Sequence, residues 1–456
     1  MFNVFTRSGN LLQNPSFESG LSYWNNENVT LINTSPSEGT QAASLGPGVA
    51  SLSQDVLLGT WLRKPLFMSF VAYTLTGIPG DLIATVYWLD SNGIIIGTGL
   101  KALIPSSAIS TARITFIDIT ERPPINAQWA RLLFSAGAAD EALVLDLINL
   151  APVETPNLLR NPSFELGLEG WDASSFTSNF TTVFEGAASA AQIAEPGTLS
   201  QNLLLRPILP GTSYLLSFAA TSTNNAAVTA QLFWLNILGN PIGAPAINAP
   251  IVASTLAGQG AYLNLMQASD PAPLGTFGAQ LILSTAGAPG SIFLDQVNMI
   301  RLLSPNLLQN PGFIQGLDFW TTQGVIPQNT GGFVGDNFAL LADTGAVINQ
   351  TVSLPRGSGG GSFLLNFALH FSGTDALNGN VIAQVHWLNC LGQEIGIGLA
   401  LVIAQETQER AQWQSFTRFT EKVPVDAISA RIQFTKSAGG DGSDIGLDSV
   451  IFARVV

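Results

Sequence analysis

Asn10-Leu-Leu-Gln-Asn-Pro-Ser-Phe17 returns as Asn157-Leu-Leu-Arg-Asn-Pro-Ser-Phe164 and again as Asn306-Leu-Leu-Gln-Asn-Pro-Gly-Phe313. Each copy runs on to a Gly-Leu pair and a Trp: Gly20-Leu21 and Trp24, Gly167-Leu168 and Trp171, Gly316-Leu317 and Trp320. The starts lie 147 and 149 residues apart. That period exceeds the 20–50 residues of a solenoid repeat and matches a whole domain. The chain therefore reads as three tandem copies of one fold.

Further marks recur at matching offsets. Gln54, Gln201 and Gln350 each fall 44 residues after a start. Apolar strand-like segments follow at Leu66–Tyr73, Tyr214–Ala220 and Phe363–Phe371. Tyr87-Trp88-Leu89-Asp90, Phe233-Trp234-Leu235-Asn236 and His386-Trp387-Leu388-Asn389 each lead to a glycine, Gly93, Gly239 and Gly392. A strand, a tight turn and a return strand are the reading of that pattern. Each copy closes on Leu-Asp, at Leu145-Asp146, Leu294-Asp295 and Leu447-Asp448. Short apolar runs between Gly, Pro, Asn and Ser clusters, without a sustained helical period, indicate an all-β protein of three tandem jelly-roll β-sandwich domains. The expected boundaries are an N-terminal arm over 1–9 and repeats over 10–152, 157–303 and 306–456. The short, proline-bearing joints at Pro152–Pro156 and Leu303–Pro305 predict a stiff rod or arc.

Composition narrows the partners. Lys and Arg number 17, Asp and Glu 31, together 11% of the 456 residues, against a usual ~25%. Such a surface is either polar and uncharged or covered by neighbours in an assembly. The net charge of −14 and the lack of any basic run exclude nucleic acid as an expected partner, since phosphate binding needs clustered Lys and Arg. No apolar run is long enough to cross a bilayer, so membrane insertion is not expected. Met1–Asn10 shows no apolar h-region behind a basic n-region, hence no visible secretory signal. The single cysteine, Cys390, excludes an intramolecular disulfide and reads as a packed small hydrophobe.

These marks resemble the galactose-binding-like jelly roll of the carbohydrate-binding-module superfamily, whose members open with Asn-x-x-Phe-Glu and end on a strand carrying Asp. Within it, the repeats are similar to domains of Gram-positive spore-surface and exosporium proteins. The resemblance implies a structural calcium ion at the sandwich edge, held by Glu18 with Asp146 in repeat 1 and by Glu165 with Asp295 in repeat 2. Calcium needs 6–8 oxygens, so backbone carbonyls would supply most of them. Ile314 replaces the glutamate in repeat 3, which leaves Asp448 without that partner. The alternative is that these carboxylates accept backbone N–H bonds at a turn.

Trp24, Trp171 and Trp320 read as core residues locking the opening loop rather than as sugar platforms. On the hairpin strand, Tyr87 and Leu89 share one face and Val86 and Trp88 the other, by strand alternation. Phe233 and Leu235, then His386 and Leu388, repeat the first set. Both faces being apolar, one needs a cover beyond the sandwich core, so this set is the candidate assembly or ligand face. Its sequence neighbours, Ile94-Ile95-Ile96, Ile237-Leu238 and Ile395-Gly396-Ile397, favour protein packing over sugar. Phe2, Val4 and Phe5 form a candidate docking arm for a neighbouring sheet edge; a simple flap or a loose tail is the alternative. The two histidines, His370 and His386, sit in apolar strand-like surroundings, and no Ser-His-Asp set, zinc spacing or phosphate loop occurs. The chain reads as non-enzymatic.

The resulting expectation is a structural surface protein that self-assembles into a layer, fibre or appendage, its partner being itself, at a cell or spore surface. The alternative is a carbohydrate-binding or adhesive module array, with glycan as partner and avidity from repetition. A phage or virion fibre component would share the first mechanism.

Overall fold

The computed structural model describes residues 9–193, 196–203, 208–223, 226–257, 261–285, 291–372, 379–404, 412–437 and 444–455. Phe2, Val4 and Phe5 lie outside them. Repeat 1 contributes β1 (Asn25–Glu27), β2 (Val29–Ile32), β3 (Ala42–Leu45), β4 (Ala50–Leu57), β5 (Leu66–Thr74), β6 (Leu82–Leu89), β7 (Ile95–Ile104), β8 (Ile114–Ile119), β9 (Trp129–Ala136) and β10 (Leu143–Pro152). They form two antiparallel sheets, β1-β4-β9-β6-β7 and β2-β3-β10-β5-β8. Repeats 2 and 3 reproduce both sheets with β11–β20 (Asp172–Ser174 through Ser291–Leu302) and β21–β30 (Thr321–Gln323 through Ile445–Arg454). The protein is thus three jelly-roll sandwiches. Among the described residues the one α-helix is a single turn, Ala253–Ala257.

The recurring phrase is a hydrogen-bonded lock. Asn10 accepts from the Leu12 and Leu150 amides and donates to the Ile148 carbonyl, tying the opening segment to the last strand. Asn14, at a left-handed φ of +52°, donates to the Gly20 carbonyl and accepts from the Ser19 amide. Asn is among the residues that tolerate this region best. The Trp24 indole donates to the Asn14 carbonyl at 3.0 Å while its ring packs 5.5 Å from Phe17. Gln54 closes the set, accepting from the Gln13 amide at 2.7 Å and donating to its carbonyl at 3.0 Å. Trp171 with Gln201, and Trp320 with Gln350, do the same. The tryptophans are core residues, as their sequence setting suggests. In the hairpin, Trp88 and Trp387 lie directly over Gly99 and Gly398, where a Cβ would strike the indole, which explains the glycines of the return strand.

The two sheets of a sandwich differ in kind. β9 alternates half-buried and buried residues, the pattern of a sheet with one face toward solvent. Every residue of β5 and β10 is buried, as in a sheet covered on both faces. The second cover is the other repeats. β8 packs against its counterparts β18 (Leu263–Ala268) and β28 (Trp413–Phe419), and those two pack against each other. Ile117, Ile119, Met266, Ile300, Phe419 and Ile451 belong to one apolar core to which all three repeats contribute. Phe67 of repeat 1 meets Phe419 of repeat 3 edge to face at 5.4 Å.

Three equivalent backbone hydrogen bonds close the arrangement. The Gly186 amide of repeat 2 donates to Leu103 of repeat 1, Gly335 of repeat 3 to Pro250 of repeat 2, and Gly39 of repeat 1 to Val402 of repeat 3. A head-to-tail contact that returns to its start generates a ring with pseudo-threefold symmetry. The rod or arc expected from the linkers is therefore wrong: short joints are equally compatible with sharp return, and the inner sheets supply the attraction. Removing an axial aromatic should show this. Phe419→Ala is expected to cost roughly 3 kcal/mol, although Phe419 faces neighbouring repeats, and a thermal or denaturant melt measures it.

Candidate functional site

The carboxylates nominated for calcium hold the loops that build the ring. Asp146, wholly buried, accepts from the Ser37 and Glu38 amides at 2.8 and 3.0 Å and from Leu147 at 2.7 Å. Glu18 accepts from the Thr40 and Gln41 amides at 2.8 and 3.0 Å and from the Thr40 hydroxyl at 2.8 Å. Repeat 2 matches: Asp295 receives the amides of Phe184, Glu185 and Gln296, and Glu165 those of Ala187 and Ala188. In repeat 3, Asp448 still caps Phe333 and Val334, while Ile314 points to solvent. N–H hydrogens thus occupy the directions from which a cation would be bound, and no group of three His, Cys, Asp or Glu side chains among the described residues could hold a metal. The donor set does not fit calcium. The paired carboxylates instead brace the loop whose Gly39 or Gly186 bonds the next repeat. Each glycine has a left-handed φ, +66° and +75°, and lies against the Glu18 or Glu165 carboxyl, where a side chain would not fit.

Beside that loop the three junctions carry different chemistry at equivalent positions. Between repeats 3 and 1, the buried Arg418 guanidinium donates to Glu38 and to the Ser16 hydroxyl. Between repeats 1 and 2, Asp118 and Glu185 hydrogen-bond carboxyl to carboxyl, with Gln296 alongside. Between repeats 2 and 3, Gln267 approaches the Ser449 hydroxyl at 3.5 Å, and Val334 occupies the position of Glu38 and Glu185. A carboxyl pair in contact must share a proton. Burial raises Asp118 from 3.8 to about 7. Burial, then the facing Asp118 carboxyl, pushes Glu185 well above its ordinary range.

The outer sheets present a different surface. In register across repeat 1 lie Asp55, Arg131 and Tyr87, on β4, β9 and β6. Arg131 grips Asp55 with two bonds, Nε to Oδ1 at 2.6 Å and Nη2 to Oδ2 at 2.7 Å. Both side chains remain about one-third exposed, and Tyr87 is half-buried beside them. The equivalent row in repeat 2 is Asn202, Gln280 and Phe233. In repeat 3 it is Thr351, Arg431 and His386. There Glu394 lies 3.0 Å from His386 Nδ1 and accepts from Arg431 at 3.3 Å.

The nominated face is split by these observations. Tyr87 and Phe233 are half-buried on the outer sheet, His386 is buried beside Glu394, and Leu89, Leu235 and Leu388 are buried within the chain. The leucines need no external cover, and the strands most fully covered on both faces are those of the inner sheets. Cys390, read as a packed hydrophobe, is exposed in the hairpin turn. Asp55, Asn202 and Glu394 were not singled out in the sequence, because strand register alone brings them beside the aromatic positions. Arg131, Gln280 and Arg431 carried a signal, lying 15, 15 and 17 residues before the closing Asp146, Asp295 and Asp448.

No model of a known protein family matches the sequence, and no curated protein matches it. Solved structures give similarities of fold. A tandem of two CBM22 carbohydrate-binding modules from Paenibacillus barcinonensis Xyn10C is 16% identical, over 65% of this chain and 99% of that one, with a TM-score of 0.27. TmCBM61, solved with β-1,4-galactotriose, is 17% identical over 32% of this chain and 99% of its own, TM-score 0.25. The enzymatically active domain of tailspike protein 4 of bacteriophage CBA120 is 17% identical over 32% of this chain and 21% of that one, TM-score 0.26. Identities this low carry no correspondence of individual residues.

Two outcomes follow from the carboxylates. The Asp118–Glu185 junction has folded-state values above the ordinary ones, so its stabilising contribution is complete below about 4 and is lost as pH rises through about 7. The melting temperature should fall between mildly acidic and mildly alkaline buffer. Asp118→Asn, which donates without a proton to lose, should reduce that slope, the rest coming from Asp146, Asp295 and Asp448, whose carboxyls burial also raises. Chelation with EDTA should leave the melting temperature unchanged, since N–H groups already saturate Asp146 and Asp295.

Proposed function

We propose that this chain is a non-catalytic glycan-binding protein carrying three binding faces, one on the outer sheet of each repeat. The row Asp55–Arg131–Tyr87 is the observation that supports it most. A saccharide offers an apolar C–H face and a rim of hydroxyls. An aromatic ring takes the first, and a guanidinium and carboxylate held in fixed orientation take the second, at little ordering cost. Repeat 2 offers Phe233 with Gln280 and Asn202, a neutral version of the same arrangement. In repeat 3 the row holds His386, Arg431 and Thr351 with Glu394 of the return strand beside them, so the faces differ in chemistry and bind with different strength.

The ring gives this reading its shape. Inner sheets meet at the axis, so outer sheets face outward in three directions. Such a molecule bridges separate polysaccharide strands rather than lying flat on one, and gains avidity from a network. A place at a cell or spore surface goes with that role. The self-assembling surface protein is the second reading, favoured by exposed aliphatic hairpin tips.

Retention on insoluble polysaccharides tests the first reading. The intact chain is expected to bind, and Tyr87→Ala to weaken binding about tenfold, the loss of one aromatic anchor being worth ~1–2 kcal/mol. Tyr87→Ala with Phe233→Ala and Arg431→Ala should abolish retention. Unchanged retention in that triple variant would remove the outer sheets from the account.

A further inference from the structure

The turn between β6 and β7 is set by a polar cap. The Asp90 carboxylate accepts from the Asn92 and Ile94 amides, and Asn236 and Asn389 cap the matching turns of repeats 2 and 3. Such a turn needs no aliphatic residue. Yet each tip displays one, and the neighbouring β8–β9 loop and its counterparts add another: Ile94 with Ile125, Leu238 with Leu274, Leu391 with Val425. Their exposures run from 60% for Ile94 to 89% for Val425. Single exposed aliphatics are ordinary. An exposed aliphatic on every tip, two places after the capping residue in repeats 2 and 3 and four after it in repeat 1, beside a loop aliphatic at one fixed position after Pro124, Pro273 and Pro424, is not.

Ring symmetry places these pairs together. Equivalent points around a threefold axis share one height along it, so the three apolar corners lie on one face, at the end where β8, β18 and β28 finish. The described chain also enters there, the Gly9 amide donating to the Thr420 carbonyl, with Phe2, Val4 and Phe5 ahead of it in sequence.

We infer that this face is a docking surface for a second copy of the same chain, forming a face-to-face dimer. A twofold axis perpendicular to the pseudo-threefold maps three corners onto three corners, so all the apolar pairs are covered in one event. Six aliphatic side chains exposing on the order of 100 Å² each, with their flanks, approach the ~800 Å² per partner of a stable interface. Each copy carries a net charge of −14, so the apolar contact forms against charge repulsion and strengthens with added salt. A lipid bilayer would also accept apolar corners, but a second copy alone offers a set of three that matches them under a twofold axis. The inference stands apart from the glycan reading, which concerns the outward sheets.

Sedimentation velocity across a micromolar concentration series tests it. The intact chain should reach twice its monomer mass. The chain bearing Ile94→Asn, Leu238→Asn and Leu391→Asn together should remain monomeric, its dissociation constant raised roughly a hundredfold or more. These positions are exposed, so an unchanged melting curve verifies that the fold is intact. A monomer at every concentration would overturn the inference, as would a dimer that the triple variant leaves intact. Binding of the monomer to phosphatidylcholine vesicles, lost in the triple variant, would overturn it in favour of lipid.

Discussion

The structure depends on the burial of the inner sheets against one another. β5 and β10 are apolar on both faces, and one sandwich covers only one of them. An isolated repeat would hold β8 and its neighbours open to water, a contiguous apolar surface of the kind that monomers rarely expose. Three repeats remove it by turning these sheets toward a common axis. The linkers then have a simple role. They hold the three copies at high effective concentration, so ring closure proceeds within one molecule.

The buried aspartates carry the second layer of the design. Asp146, Asp295 and Asp448 sit at the same point of the closing strand and receive the amides of the docking loop. Each fixes the segment whose glycine bonds the next repeat. The side-chain chemistry beside the loop then separates the junctions: Arg418 with Glu38, Asp118 with Glu185, Gln267 with Ser449. Asn149 and Asn298 reach across to the Thr417 and Ile117 carbonyls, while repeat 3 has Ile451 in that place. Three distinct junctions set the order of the repeats around the ring, because exchanging two would oppose Asp118 to a partner without a proton to share, or strand Arg418 without a carboxylate.

Much of the fold is legible in the sequence because its determinants are local and repeated. The Asn-Leu-Leu-x-Asn-Pro-x-Phe phrase, the Trp ten residues beyond its Asn14 position and the hairpin glycines act within one repeat, and threefold recurrence separates them from chance. The ring is not legible in the same way. Phe67 and Phe419 stand in different repeats, and nothing in either neighbourhood indicates the other. The binding row fails for a related reason: Asp55 and Arg131 are 76 positions apart, and register alone makes them neighbours of Tyr87. The aliphatic residues that follow Tyr87 in sequence, Ile94, Ile95 and Ile96, lie in the turn and at the start of β7, while the polar partners Arg131 and Asp55 come from distant strands, so adjacency in the chain shows only the aliphatic half of this surface. Glu18 and Asp146 show the converse. Their recurrence was legible, but whether oxygens or N–H groups surround them depends on the loop they face.

Small-angle X-ray scattering, extrapolated to zero concentration, tests the ring most directly. A compact chain of this length has a radius of gyration of about 23 Å by the globular scaling law, and the ring predicts a value close to it. Three sandwiches strung end to end would give roughly 35 Å by the same law applied to each domain, and that result would contradict the shared axial core.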